Sequence, residues 1–122
     1  MGLFAATEID TDEVARRYRA LLLDGEEVLI AFKTLRDIAF LTDRRLCLVN
    51  IQGWTGKKIA IQSIPYRSIV RFSLETAGTF DLEADMVFWL SGGATPLEIK
   101  IGRGSNLTMI QQVLARGVLG RG

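Results

Sequence analysis

The chain has 122 residues, 48% of them hydrophobic, with 15 basic against 14 acidic side chains and a net charge of +1. One compact domain is the expectation at that length, and so small a net charge supplies no bulk field for nucleic acid. There is no histidine and one cysteine. This excludes Ser-His-Asp and Cys-His nucleophiles, imidazole metal sites and an internal disulfide.

The opening Met1-Gly2-Leu3-Phe4-Ala5-Ala6 is apolar, but it is too short for a signal-peptide core and lacks a basic start. Ala6 stands where a myristoylation site after Gly2 would want Ser or Thr. No run reaches the roughly 18 apolar residues of a membrane span. The expectation is a soluble cytoplasmic protein, and a reduced thiol in an apolar strand agrees with that compartment.

The first predicted element is a helix. Asp10 can cap it and Glu13 can answer as in a capping box, while Ile9 and Val14 have the spacing of a hydrophobic staple. Val14, Tyr18, Leu21 and Leu22 form one apolar stripe, and Asp24-Gly25 ends it. The period then changes to strands, predicted over 27–34, 38–42, 45–51, 58–64, 68–75, 82–91 and 95–101. The turns fall at Arg36-Asp37, Asp43-Arg44, the Gln52-to-Gly56 loop, Pro65, Ala77-Gly78 and Gly92-Gly93. In the fifth strand Val70, Phe72 and Leu74 alternate with Arg71, Ser73 and Glu75. A final helix, capped by Ser105 or Asn106, carries Ile110, Val113, Leu114 and Val118 on one face.

Seven short antiparallel strands with no helix between them argue for a small barrel or bent sandwich, with the last helix plugging an open end. Residues 1–25 read as an N-terminal helical extension and 26–122 as the barrel with its capping helix.

Several patches in order carry a resemblance. They are Met1-Gly2-Leu3-Phe4, Thr42-Asp43-Arg44-Arg45-Leu46, Gly56-Lys57-Lys58, Ser63-Ile64-Pro65-Tyr66, Glu75-Thr76-Ala77-Gly78 and Asp81-Leu82-Glu83-Ala84. Together they resemble the bacterial pleckstrin-homology-like family over nearly the whole chain. The resemblance implies a mainly β, seven-stranded PH-like barrel capped by a C-terminal α-helix. It also implies ring-like homo-oligomers and no enzymatic activity.

Five features are candidates for function. Alternate turns of a meander share an end, which places Arg36 with Trp54, Lys57 and Lys58, near Gly92-Gly93. That end is a candidate contact for anionic lipid or an acidic peptide, with Trp54 as an amphipathic tip. The competing and favoured reading is that Lys57 and Lys58 are solvated groups flanking a hairpin while Trp54 packs on a neighbouring loop or subunit. The first turn is very short, unlike the long basic loop of phosphoinositide-binding PH domains. Asp81, Glu83 and Asp85 project from one strand face, as paired acid and base groups or a hard-cation site or, the favoured reading, as groups that face solvent or pair with Arg residues of a neighbouring strand or subunit. Gly102-Arg103-Gly104-Ser105 precedes a helix but lacks the dinucleotide and P-loop spacings, which favours a turn and cap over a phosphate cradle. Cys47 lies mid-strand with no activating histidine and reads as core.

The fifth feature is the apolar excess. Met86, Phe88 and Leu90 oppose Val87 and Trp89; Val28, Ile30 and Phe32 oppose Leu29 and Ala31. Strands apolar on both faces are covered on both. The outer cover is either the N-terminal helix or a second subunit, with Tyr18, Leu22, Val87 and Trp89 as the expected oligomer interface. The favoured function is a non-enzymatic, self-assembling module that presents its loop end to a protein partner. The alternative is a membrane-surface module using Arg36, Trp54, Lys57 and Lys58. No cofactor and no metal are expected, and no nucleic-acid partner.

Overall fold

Apolar alternation after Gly25 builds two antiparallel sheets that face each other across a common core. A computed structural model describes residues 5–55, 57–76 and 83–120. The strands are β1 (Thr7–Ile9), β2 (Val28–Lys33), β3 (Ile38–Thr42), β4 (Arg45–Gln52), β5 (Lys58–Pro65), β6 (Ile69–Thr76), β7 (Ala84–Leu90) and β8 (Leu97–Ile101). The helices are α1 (Thr11–Arg17) and α2 (Leu107–Val118), with short 3-10 turns at Arg19–Leu21 and Tyr66–Ser68. One sheet has the order β1-β2-β3-β4-β5 and the other β6-β7-β8.

The seven predicted strands are all present. An eighth, β1, was not expected. Thr7, Glu8 and Ile9 are too few to show a period, yet they pair in register with Lys33, Phe32 and Ala31. Ala6 then bridges to Ile101, donating to the Lys100 carbonyl at 2.8 Å and accepting from the Gly102 amide at 2.8 Å. The N-terminal segment thus joins an edge of each sheet.

The inner core draws on both sheets and α2. Ile30, Phe32, Leu41, Leu46, Met86 and Phe88 meet Leu107, Ile110, Val113 and Leu114 of the helix. Each fully buried side chain of this size contributes about 1.5–3 kcal/mol. Asn106 is the helix cap, its side chain accepting from the Met109 amide at 3.0 Å. Gly117 lies on the Tyr66 ring so closely that a Cβ there would stand 2.6 Å from a ring carbon.

A second cluster lies on the outer face of the five-stranded sheet. Val14 of α1 sits over Val28, Ala31, Ile38, Phe40, Cys47 and Val49, with Tyr18 and Leu22 at its margin. Tyr18 stacks on Phe40 with ring centroids 5.8 Å apart.

Two strands depart from simple alternation because each carries a bulge. In β2 the register shifts between Val28 and Ile30, so Val28 joins Ala31 outside while Ile30 and Phe32 point inward. In β6 the shift lies between Ile69 and Arg71, which turns Val70 out to solvent, away from Phe72 and Leu74. Helix α1 is also shorter than its stripe. Its α-helical part ends at Arg17, and Leu21 follows in a 3-10 turn. The anchor is downstream: Arg45 donates to the Leu21 carbonyl at 2.9 Å and Glu26 accepts from the Leu23 amide at 2.9 Å. Gly25, at φ 80°, makes the reversal into β2 possible.

Candidate functional site

The first and third turns of the meander do share an end. Arg36 reaches across and donates to the Gly53 carbonyl at 2.9 Å. Asp37 binds the two hairpins from the other side, its carboxylate accepting from the Ile51 amide at 3.0 Å. Trp54 is fully exposed at the tip, Leu35 is exposed beside Arg36, and Lys57 and Lys58 are exposed. Gly56 lies outside the described residues. The Gly92-Gly93 turn is tied elsewhere, through Gly93 to Leu90 and through Ser91 to Ser68.

The acidic run does not converge. Glu83 is exposed, and Asp85 faces Lys100 across the β7–β8 ladder with 3.2 Å between carboxylate and amine. Asp81 lies outside the described residues, and no cluster of three metal-ligating side chains occurs among those described.

At the start of α2 the chain supplies its own anion. The Glu8 carboxylate accepts from the Asn106 amide at 3.0 Å, and Ser105 donates to the Gly102 carbonyl at 3.0 Å. Gly104 takes φ 90°. This is a turn and a cap, with Glu8 where a phosphate would have to sit. Cys47 is buried under α1, and desolvation pushes its thiol above the ordinary value. A thiol so placed is a poor nucleophile.

The four side chains expected at a subunit interface are spread over two sheets. Tyr18 and Leu22 pack on the outer face of their own five-stranded sheet. Val87 is only 4% exposed. Along β7 it lies between Trp89, whose ring carries the Arg71 guanidinium at 4.0 Å, and Asp85 with its Lys100 partner. On the same face Arg71 lies over Trp89 and Lys100 pairs with Asp85, one on each side of Val87.

Two features escaped the sequence reading. One is a buried ion pair. Arg45 grips Glu26 through both carboxylate oxygens, at 2.6 and 2.8 Å. The Thr42 hydroxyl donates to the same carboxylate at 2.7 Å, and the Tyr66 hydroxyl donates to the Thr42 carbonyl at 2.6 Å. Hydrogen bonding to Arg45 outweighs burial and lowers the Glu26 pKa from 4.5 to about 2. Thr42 and Arg45 belonged to a patch that carried the family resemblance. Glu26 gave no such signal.

The other is an apolar strip on β5. Ile59 and Ile61 stand across from Ile51 and Val49, so they continue the outer apolar surface beyond α1. They are 54% and 48% exposed. β5 is the last strand of its sheet, with one side of its backbone unpaired by any strand among the described residues.

A five-stranded and a three-stranded antiparallel sheet, closed by a C-terminal helix over the shared core, define a PH-like domain. The bacterial PH domain family model matches residues 1–118, and the chain belongs to that family. It is 47% identical over 111 residues to the uncharacterized protein YjqA of Bacillus subtilis, covering 90% of this chain and 89% of that one. Among solved structures it is similar to a DUF1696 family protein with a pleckstrin-homology domain from Shewanella loihica. That match has a TM-score of 0.83 and 37% identity, covering 94% of this chain and 98% of the other. A pleckstrin homology domain from Shewanella amazonensis matches with a TM-score of 0.71 and 42% identity, over 98% and 95% of the two chains. No helix among the described residues is long and apolar enough to cross a membrane.

Proposed function

We propose that the protein is a non-enzymatic interaction module that assembles with copies of itself and presents its loop end repeatedly to a protein partner. The observation that carries this reading is the half-exposed Ile59–Ile61 strip on the edge strand β5. An edge strand with outward isoleucines is a template for pairing with another chain unless something covers it. Each half-exposed isoleucine contributes about 1 kcal/mol when buried, and a repeated interface adds those small terms around a closed assembly. Copies held together then turn weak contacts at the loop end into avidity. Light scattering at micromolar concentration is expected to give a mass that is a multiple of the chain's 13.5 kDa. A monomer mass refutes the reading.

The fully exposed Trp54 beside Lys57 and Lys58 favours a second reading, contact with an anionic membrane surface. On that reading, vesicles containing phosphatidylserine retain the protein at low salt and release it at high salt. Equal retention by neutral vesicles removes it.

A further inference from the structure

A cavity of about 440 Å³ opens where the edge of β8 diverges from the β2–β3 hairpin. Its lining is mixed: apolar Phe32, Leu48, Leu97 and Ile99 alternate with polar side chains that include Asn50 and Gln62. The volume suits a few side chains. The edge of β8 is also partly open. Lys100 turns its carbonyl to Ala6, away from β7. Backbone groups alternate sides along a strand, so Glu98 presents its N–H and C=O to the same side, with no strand partner among the described residues. The lining includes Glu98, Asp37, whose carboxylate also accepts from the Ile51 amide, and Asp85, which is engaged at 3.2 Å by Lys100, the one cation among the described lining residues.

We infer that this cleft takes an extended peptide segment of alternating apolar and basic side chains, added along the part of the β8 edge at Glu98 that no described strand pairs. The backbone edge supplies hydrogen bonds, the apolar part of the lining takes alternate side chains, and Glu98, in a lining that also holds Asp37 and Asp85, selects Lys or Arg. The same carboxylates oppose a phosphate, so an anionic headgroup is the wrong ligand for this place. The inference rests on the module reading in that it specifies the protein partner's chemistry.

The test is selection from a displayed library of random heptapeptides on the purified full chain. The enriched sequences are then made synthetically and titrated by amide NMR. Expected are sequences alternating apolar residues with Lys or Arg, and shifts concentrated at Glu98, Lys100 and Ile38. The Glu98→Lys variant, changed at an exposed rim position, should bind at least tenfold more weakly while keeping the wild-type spectrum elsewhere. Enrichment of acidic peptides, no enrichment, or shifts confined to β5 or α2 overturns the inference. Light scattering on the same samples separates the two claims. An assembled protein that selects no peptide refutes the cleft alone, and a monomer that selects basic peptides refutes self-assembly alone.

Discussion

Replacing Arg45 by methionine is expected to destabilise the fold by about 3–5 kcal/mol. The Glu26 side chain has no solvent exposure, and Arg45 is its only ion-pair partner among the described residues. Methionine fills much of the arginine stem's volume but leaves a carboxylate in place without its counter-charge. Two further anchors go with it, the Leu21 carbonyl and the Ser63 hydroxyl, which Arg45 also binds. The α1-to-β2 connection therefore loosens as well. Urea unfolding at one fixed protein concentration measures the loss. The double variant Glu26→Gln/Arg45→Met should recover a large part of it, because a neutral amide can accept from the Leu23 N–H through its oxygen and donate towards Thr42 Oγ1 through its nitrogen, with no unpaired charge left buried. A single-variant cost below about 1 kcal/mol contradicts this view of the pair.

Acid should expose the same pair. Glu26 has its pKa lowered from 4.5 to about 2 in the folded chain. The unfolded chain therefore binds its proton first as pH falls. The stabilisation is complete above about pH 4.5, declines as pH drops below that and is gone below about pH 2. The shift corresponds to about 3 kcal/mol. Thermal midpoints measured from pH 6 to pH 2 should show a decline steepest below pH 4.5, and Glu26→Gln should flatten that part of the curve. An identical acid limb in both proteins refutes the assignment. Tyr66 acts at the other extreme. Burial raises its phenol above the ordinary value of 10, so stability falls when alkali ionises the unfolded chain first.

The strand plan was legible because most strands carry clear alternation and the turns carry glycine, proline or aspartate. β1 was not, because three residues leave no period and its partner, β2, lies beyond a helix. The two bulges were equally hidden. A bulge leaves the hydrophobic pattern nearly intact and changes only which face each residue takes, as Val28 and Val70 show. The shared end of Arg36 and Trp54 followed from hairpin geometry alone. The low exposure of Val87 did not, nor did the placing of Arg71 on the Trp89 ring and of Lys100 on Asp85, since both cations read as solvated charges in sequence. Ile59 and Ile61 looked like an ordinary alternating strand. Their exposure shows only in three dimensions, because α1 and its cluster cover Val49 across the ladder but not the two isoleucines of β5.

Among the described residues the apolar side chains thus include an inner core, a face covered by α1 and a half-exposed strip on β5. The most direct test of self-assembly through that strip is light scattering of an Ile59→Lys/Ile61→Glu variant beside wild type and Val70→Lys. The double change keeps the net charge and places both new groups at half-exposed positions, whereas Val70 is an exposed apolar residue of the other sheet. The account predicts an oligomer for wild type and Val70→Lys and a folded monomer for the β5 variant. An assembly of unchanged mass in the β5 variant, or a wild-type monomer at micromolar concentration, contradicts it.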